Sequence, residues 1–150
     1  MKDVEVLRSF AILNRAFLAY FSHAIADHGL SYSEGAILAN IGDRPGTNQD
    51  ALALDLVIDK AAIARAVKGL KEKGFVRVKR ASADRRANEL LPTKSGERML
   101  REIAGLNDEW IRFVTSDLSA AERKKFFDVL GRLVVRTKQV PSEWRGRPVR

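Results

Sequence analysis

Cysteine is absent from the 150 residues. That excludes a disulfide framework, a thiol nucleophile, a thiol redox sensor and any thiolate zinc site. Long apolar runs are missing too: no stretch approaches about 18 uninterrupted apolar residues, so no membrane span is expected. The opening MKDVEVLRSF has no apolar run leading to a cleavage-like site, so no signal peptide is expected and the cytoplasm is the expected compartment. Histidine occurs twice, at His23 and His28. Five residues apart, the two do not share a helix face, which argues against a metal pair and for surface or cap positions. Neither has an obvious carboxylate or nucleophile partner. The patterns G-x-S-x-G, H-E-x-x-H and the phosphate loop do not occur, so the chain reads as no enzyme, with no cofactor and no metal.

What the chain has is positive charge in one place. Its net charge is +8. From Lys60 to Arg101 there are 13 Lys or Arg against 4 Asp or Glu, and the other 108 residues sum to −1. A contiguous basic stretch in an otherwise near-neutral chain is the footprint of a polyanion binder. An anionic membrane surface has the same electrostatics, but the stretch lacks the Trp/Phe-rich amphipathic face that insertion needs. At this length the chain is expected to be one unit with a substantial core.

The basic stretch opens on Asp59 to Gly74, DKAAIARAVKGLKEKG. At about 100° per residue, Ile63, Ala66, Val67 and Leu70 share one face, while Ala61, Ala64, Arg65, Lys68 and Glu72 share the other. Alanines let a backbone approach a surface closely, Arg65 can reach a base edge, and Lys68 and Lys71 can reach phosphates. An ordinary surface helix with basic residues has the same periodicity, so the flanking segments decide.

Residues 4–28 read as a long first helix with Leu7, Phe10, Asn14, Phe17, Phe21 and Ile25 on one stripe. Such a stripe must be covered by the rest of the domain or by a partner chain. Ser31-x-x-Glu34 is a capping box opening a second helix with Ile37, Leu38 and Ile41 inward. Thr47-x-x-Asp50 is expected to cap a short third helix, Asn48 to Leu56. Val57-Ile58 is a short joint, and Asp59 caps the basic helix. Two short helices joined this closely, the second one basic, form a helix-turn-helix pattern with a recognition helix over 59–74. After Gly74 the period changes to two: Phe75-Val76-Arg77-Val78-Lys79-Arg80 alternates apolar and basic, and Glu89-Leu90-Leu91 returns, with Pro92 ending the pairing. A hairpin over 75–92 with the tip Asp84-Arg85-Arg86 completes a winged helix-turn-helix lobe over 31–92. Residues 93–139 read as two more helices, capped by Thr93 and by Ser119-x-x-Glu122. The first carries Met99, Ile103, Leu106, Trp110, Phe113 and Val114; the second carries Phe126, Phe127, Leu130, Leu133 and Val134. A loosely ordered tail over 140–150 is expected.

The chain resembles the MarR family of bacterial transcriptional regulators over nearly its whole length. The resemblance rests on Leu52-Ala53-x-x-Leu56, Val67-x-x-Leu70-x-x-x-Gly74-Phe75-Val76, Asp84-x-Arg86, Thr93-x-x-Gly96 and Leu118-Ser119-x-x-Glu122, in this order and spacing. It implies a mainly α fold with a small β-hairpin wing, flanked by N- and C-terminal dimerisation helices. It implies a homodimer joined through the first helix and the last two, a recognition helix in the major groove, a wing arginine in the minor groove, and a small-molecule pocket where the DNA-binding lobe meets the dimer helices. Two departures stand out. Asp59, Ala62 and Ala64 occupy positions where many members have Ser or Thr, which shifts readout toward Arg65 and apolar contact with thymine methyls. Pro92 stands where a leucine usually precedes the threonine.

The expected function is that of a dimeric, sequence-specific DNA-binding regulator, in the repressor sense, bound to a palindromic operator in double-stranded DNA, with a small-molecule effector as the candidate for its release; the alternative is a weakly specific architectural or scaffold protein on DNA. The expected DNA contacts are Lys60, Ala61, Ala64, Arg65, Lys68, Arg77, Lys79, Asp84, Arg85 and Arg86. The expected dimer residues are Phe10, Phe17, Phe21, Phe126, Leu130 and Leu133. Tyr20, His23 and Tyr32 are the candidate ligand contacts, and they serve equally well as core-edge residues.

Overall fold

The computed structural model describes residues 2–80 and 88–140, so the expected wing tip, Asp84-Arg85-Arg86, and nearly all of the expected tail lie outside the described residues. The elements are α1 (Asp3–Ala26), α2 (Tyr32–Asp43), α3 (Gln49–Leu56), α4 (Lys60–Glu72), β1 (Val76–Arg80), β2 (Asn88–Pro92), α5 (Lys94–Val114) and α6 (Ala120–Thr137).

The helices begin where the local chemistry satisfies their free N–H groups. Asp59 accepts from the Ala62 N–H at 2.9 Å and Thr93 from the Gly96 N–H at 3.1 Å. Ser31 and Ser119 form reciprocal capping boxes with Glu34 and Glu122. The third helix differs from expectation. Its cap is Asn48, which accepts from the Ala51 N–H at 2.9 Å. Thr47 is drawn elsewhere: its carbonyl accepts from the Leu90 N–H at 2.7 Å, so residues 46–47 line the free edge of β2. The first helix stops two residues before its expected end, because the chain turns through Gly29 at φ +68°. The expected joint contains Val57 in the left-handed region at φ 55°.

The hairpin is antiparallel, with Val76 opposite Pro92 and Arg80 opposite Asn88. Pro92 is thus the last partner in the ladder rather than a residue beyond it. The wing base is fastened to α5 by Thr93, whose hydroxyl donates to the Gly74 carbonyl at 2.6 Å and whose N–H donates to the Phe75 carbonyl at 3.0 Å. Gly96 lies directly against that same Phe75 carbonyl, where a Cβ would collide. This close approach is the physical content of the Thr93-x-x-Gly96 spacing.

One apolar cluster joins α1 through α5 and the hairpin. Ile37, Leu38 and Ile41 of α2, Leu52 of α3, Ile63, Val67 and Leu70 of α4, Leu90 of β2 and Ile103 of α5 are all buried within it. Phe21 belongs to this cluster as well, 2% exposed. Of the two covers open to this stripe, the rest of the domain or a partner chain, Phe21, an expected dimer residue, has the first: it is buried in its own chain's core, and Phe17 packs beside it at 5.4 Å between ring centroids. Phe10 is the exposed member of the three, at 48%. Beyond the cluster, no residue of α6 is buried.

A charged pair is set into the α2–α4 contact. Glu34 is buried, and both its oxygens lie 2.7 Å from Lys73 Nζ. Burial pushes the Glu34 carboxyl up, but the hydrogen bonds from Lys73 and Ser31 outweigh it and hold it below its ordinary 4.5. A carboxylate with a depressed folded pKa contributes stability that is present above the unfolded value and lost as pH falls through the folded one. Replacing Glu34 with Gln is therefore expected to lower the urea-unfolding free energy by about 1–3 kcal/mol near neutral pH. The gap to the wild type should close as pH falls below the ordinary carboxylate range and the wild-type carboxyl takes up its proton. A gap unchanged over that fall in pH would contradict this account of the pair.

Candidate nucleic-acid interface

The α4 helix turns its apolar residues inward: Ile63, Ala66, Val67 and Leu70 are buried. Ala61, Ala64, Arg65 and Lys68 are all exposed. The outward strip is therefore the one expected, two small residues and two basic ones on successive turns. Its helix start carries Asp59 as a cap, so the negative charge there is committed to the Ala62 N–H.

The basic side chains divide into two groups. Lys60 is 2.6 Å from Asp50, Lys68 is 3.8 Å from Glu72 and Lys79 is 3.8 Å from Glu89. These pairs are exposed, and such pairs are worth about 0–1 kcal/mol, so a phosphate can displace the carboxylate at little cost. Arg65, Lys71, Arg77 and Arg80 have no carboxylate partner among the described residues. Arg65 and Lys71 stand on the helix and Arg77 and Arg80 on the wing strand, so uncommitted positive charge runs from one element to the next. Arg80 was not among the expected contacts. Its position breaks the alternation, since it follows Lys79 directly and both are exposed.

Arg65 leaves α4 beside the start of α2. With Ala62, Ala66, Ser31, Ser33 and Glu34 it lines an open notch of about 280 Å³. Glu34 was read from sequence only as half of a capping box, and nothing local signals its second partner, Lys73, 39 residues away.

A separate, aromatic region lies between α1, α2 and α5. Tyr32 meets both Phe17 and Phe21 edge to face, and Trp110 stacks on Tyr20 at 5.4 Å. Two small cavities open here. One, about 150 Å³, is lined by residues that include Phe17, Phe21, Tyr32, Asn40, Ile103 and Asn107. The other, about 240 Å³, is lined by Phe17, Asn107, Trp110 and Ile111. Of the three expected ligand contacts, Tyr32 lines the smaller of these two cavities, and Tyr20 and His23 line neither of the two. The Tyr20 hydroxyl is occupied by Glu109 at 3.0 Å and by the Leu106 carbonyl at 3.3 Å. Its pKa is raised, by burial first and then by the Glu109 carboxylate. His23 follows Phe21 by two positions, which on a helix places it about 200° away, and it is exposed. Sequence reading missed Asn40, Asn107 and Trp110, because α2 and α5 contribute them from distant parts of the chain.

Known proteins share both the sequence pattern and this architecture. A sequence profile of the MarR family matches residues 28–87. The HTH-type transcriptional regulator BilQ of Clostridium symbiosum is 30% identical over 122 residues, covering 81% of this chain and 85% of its own. A MarR transcriptional regulator from Methanosarcina mazei superposes with a TM-score of 0.85 at 22% identity, over 93% of this chain and all of its own. A MarR family regulator from Listeria monocytogenes, solved in complex with a 26mer DNA, superposes with a TM-score of 0.86 at 23% identity, over 92% of this chain and 91% of its own. With the helix-turn-helix, the hairpin wing and the capped last two helices all in the family's order, the chain belongs to the MarR family of transcriptional regulators.

Proposed function

We propose that the chain is a homodimeric repressor that reads a palindromic DNA operator, with α4 in the major groove and the hairpin against the neighbouring minor groove. The observation that carries the reading is the outward strip of α4. Four exposed residues at helical spacing are small or basic, and Arg65 stands free of any carboxylate among the described residues. The DNA present in the Listeria relative's structure supports the same use of the fold. On this reading residues 31–92 are the DNA-binding lobe, and residues 4–28 and 93–139 are dimerisation helices. Their exposed apolar residues support that division: Leu7, Phe10 and Leu13 on α1, and Phe126, Leu133 and Val134 on α6. A soluble chain that left both stripes in water would expose an apolar area of the kind that marks an interface. The same reading assigns small-molecule release to the aromatic cavities, of which the smaller touches α1, α2 and α5 and the larger α1 and α5.

Binding-site selection from random DNA with the full-length protein tests the reading. The expected result is a palindrome whose half-sites lie about 10 bp apart, as two symmetry-related helices entering successive major grooves require. An unstructured pool with near-equal affinities would instead favour the architectural role. On the selected operator, Arg65→Ala is expected to cost about 1–3 kcal/mol and to relax specificity at one position per half-site, as loss of a bidentate guanine contact does. Lys68→Ala is expected to weaken all sequences alike. Equal, sequence-independent losses in both variants would make Arg65 a backbone contact.

Sedimentation equilibrium tests the dimer. The wild type is expected to run as a dimer and the Phe10→Asp/Leu133→Asp double variant as a monomer that no longer holds the palindrome. A monomeric wild type that binds the full operator tightly would refute the dimer.

A further inference from the structure

We infer that Glu34 is a positioning residue for DNA readout: through Lys73 and the bare backbone at Gly69 it fixes how α4 seats on α2, and so where the Arg65 side chain is aimed. The inference rests on the DNA-reading role proposed for α4.

Glu34 and Thr115 are the buried polar or charged residues among those described. Thr115 is satisfied one turn back, by the Ile111 carbonyl. Glu34 reaches across elements. Its Oε2 accepts from the Ser31 N–H at 2.8 Å and the Ser31 hydroxyl at 3.0 Å, at the mouth of α2. Lys73 closes the other side, donating to both oxygens at 2.7 Å. Lys73 is the C-terminal cap residue of α4. One carboxylate thus ties the start of α2 to the end of the recognition helix.

Gly69 makes that seat possible. A Cβ there would collide with Glu34 Oε1. Glycine within a helix costs about 0.5–1 kcal/mol relative to alanine, and here the missing side chain lets the carboxylate lie directly on the helix backbone. An added methyl displaces the carboxylate at the expense of the hydrogen bonds from Ser31 and Lys73 that hold it from both sides. Arg65 stands one turn before Gly69, at i and i+4, on the same flank of the helix. It shares the 280 Å³ notch with Ser31, Ser33 and Glu34. A small roll or slide of α4 on α2 therefore moves the base of the Arg65 side chain directly, while Ile63, Val67 and Leu70, being apolar, tolerate several neighbouring seats. The apolar contact supplies adhesion; the charged clamp selects one geometry.

The test compares full-length wild type, Glu34→Gln, Gly69→Ala and Lys73→Arg on the selected operator and on random DNA of equal length, across salt concentrations. Gly69→Ala changes no charge and favours helix formation, so it disturbs the seat without removing a partner. Glu34→Gln and Gly69→Ala are expected to lose operator affinity by about tenfold, the scale of one misaimed bidentate contact. Their affinity for random DNA and the slope of log affinity against log salt are expected to stay at wild-type values, because no phosphate contact is touched. Lys73→Arg keeps the pairing and is expected to match the wild type. Folded variants that keep the wild-type ratio of operator to random affinity, or lose both affinities by one factor, would overturn the inference while leaving α4 as the reading element. If Glu34→Gln does not fold, Gly69→Ala decides alone. A wild type that does not discriminate between the two DNAs would overturn the reading of α4 and the inference with it.

Discussion

Helix α2 is twelve residues long and is packed against α1, α4, α5 and β2. Ile37, Leu38 and Ile41 are shut away from water completely or nearly so. Burying side chains of this kind contributes about 1.5–3 kcal/mol each, so which face each surrounding element turns inward is set by α2. The consequence for function is a matter of angle. Once Ile63, Ala66, Val67 and Leu70 face α2, the helical period leaves Ala61, Ala64, Arg65 and Lys68 facing out. Turning α4 by one residue would bury an arginine and expose an isoleucine, two costs that add. The DNA-facing strip follows from the core, and its composition then only has to be small and basic.

The other half of the chain is built on the opposite principle. The start of α1 and α6 stand away from the cluster with most of their apolar residues exposed, Phe127 and Leu130 being half-buried. A polar contact ties α6 to the lobe: Lys138, just beyond α6, lies 3.3 Å from Asp55 of α3, which also pairs with Arg44 at the end of α2. Helices α1 and α5, by contrast, share the apolar cluster with α2, α3 and α4, so a shift of the proposed DNA-binding lobe relative to them works against that apolar contact. The aromatic cavities sit at this junction, where α1 and α5 leave the core. A ligand that binds one arrangement of the two parts better than the other would change their spacing by its differential affinity alone.

Much of this was legible in the order of residues. The caps at Ser31, Asp59, Thr93 and Ser119, the inward face of α4 and the alternation of β1 are local patterns with local causes. The departures came from contacts that local patterns do not encode. Thr47 and Asn48 are both good caps, and the choice between them was made by β2, which takes the Thr47 carbonyl. Phe10, Phe17 and Phe21 form one stripe on a helical wheel, but periodicity names a face without saying what covers it, and α2 and α5 reach only its C-terminal end. Tyr20 and Tyr32 read alike in the sequence, but the first is hydrogen-bonded to Glu109 and the second lines a cavity. Glu34 was hidden by having one sufficient local explanation already, its capping box with Ser31.

Dimethyl sulfate protection of guanine N7 on the selected operator tests the central claim, that the outward strip of α4 enters the major groove and Arg65 reads a base there. The account predicts that wild-type protein protects guanine N7 in two half-sites about one helical turn apart. It predicts that the Arg65→Ala protein, at concentrations that saturate the same DNA, leaves the guanine in each half-site that Arg65 reads open to methylation. Guanines left unprotected by the wild type, or protected equally by Arg65→Ala, would contradict it.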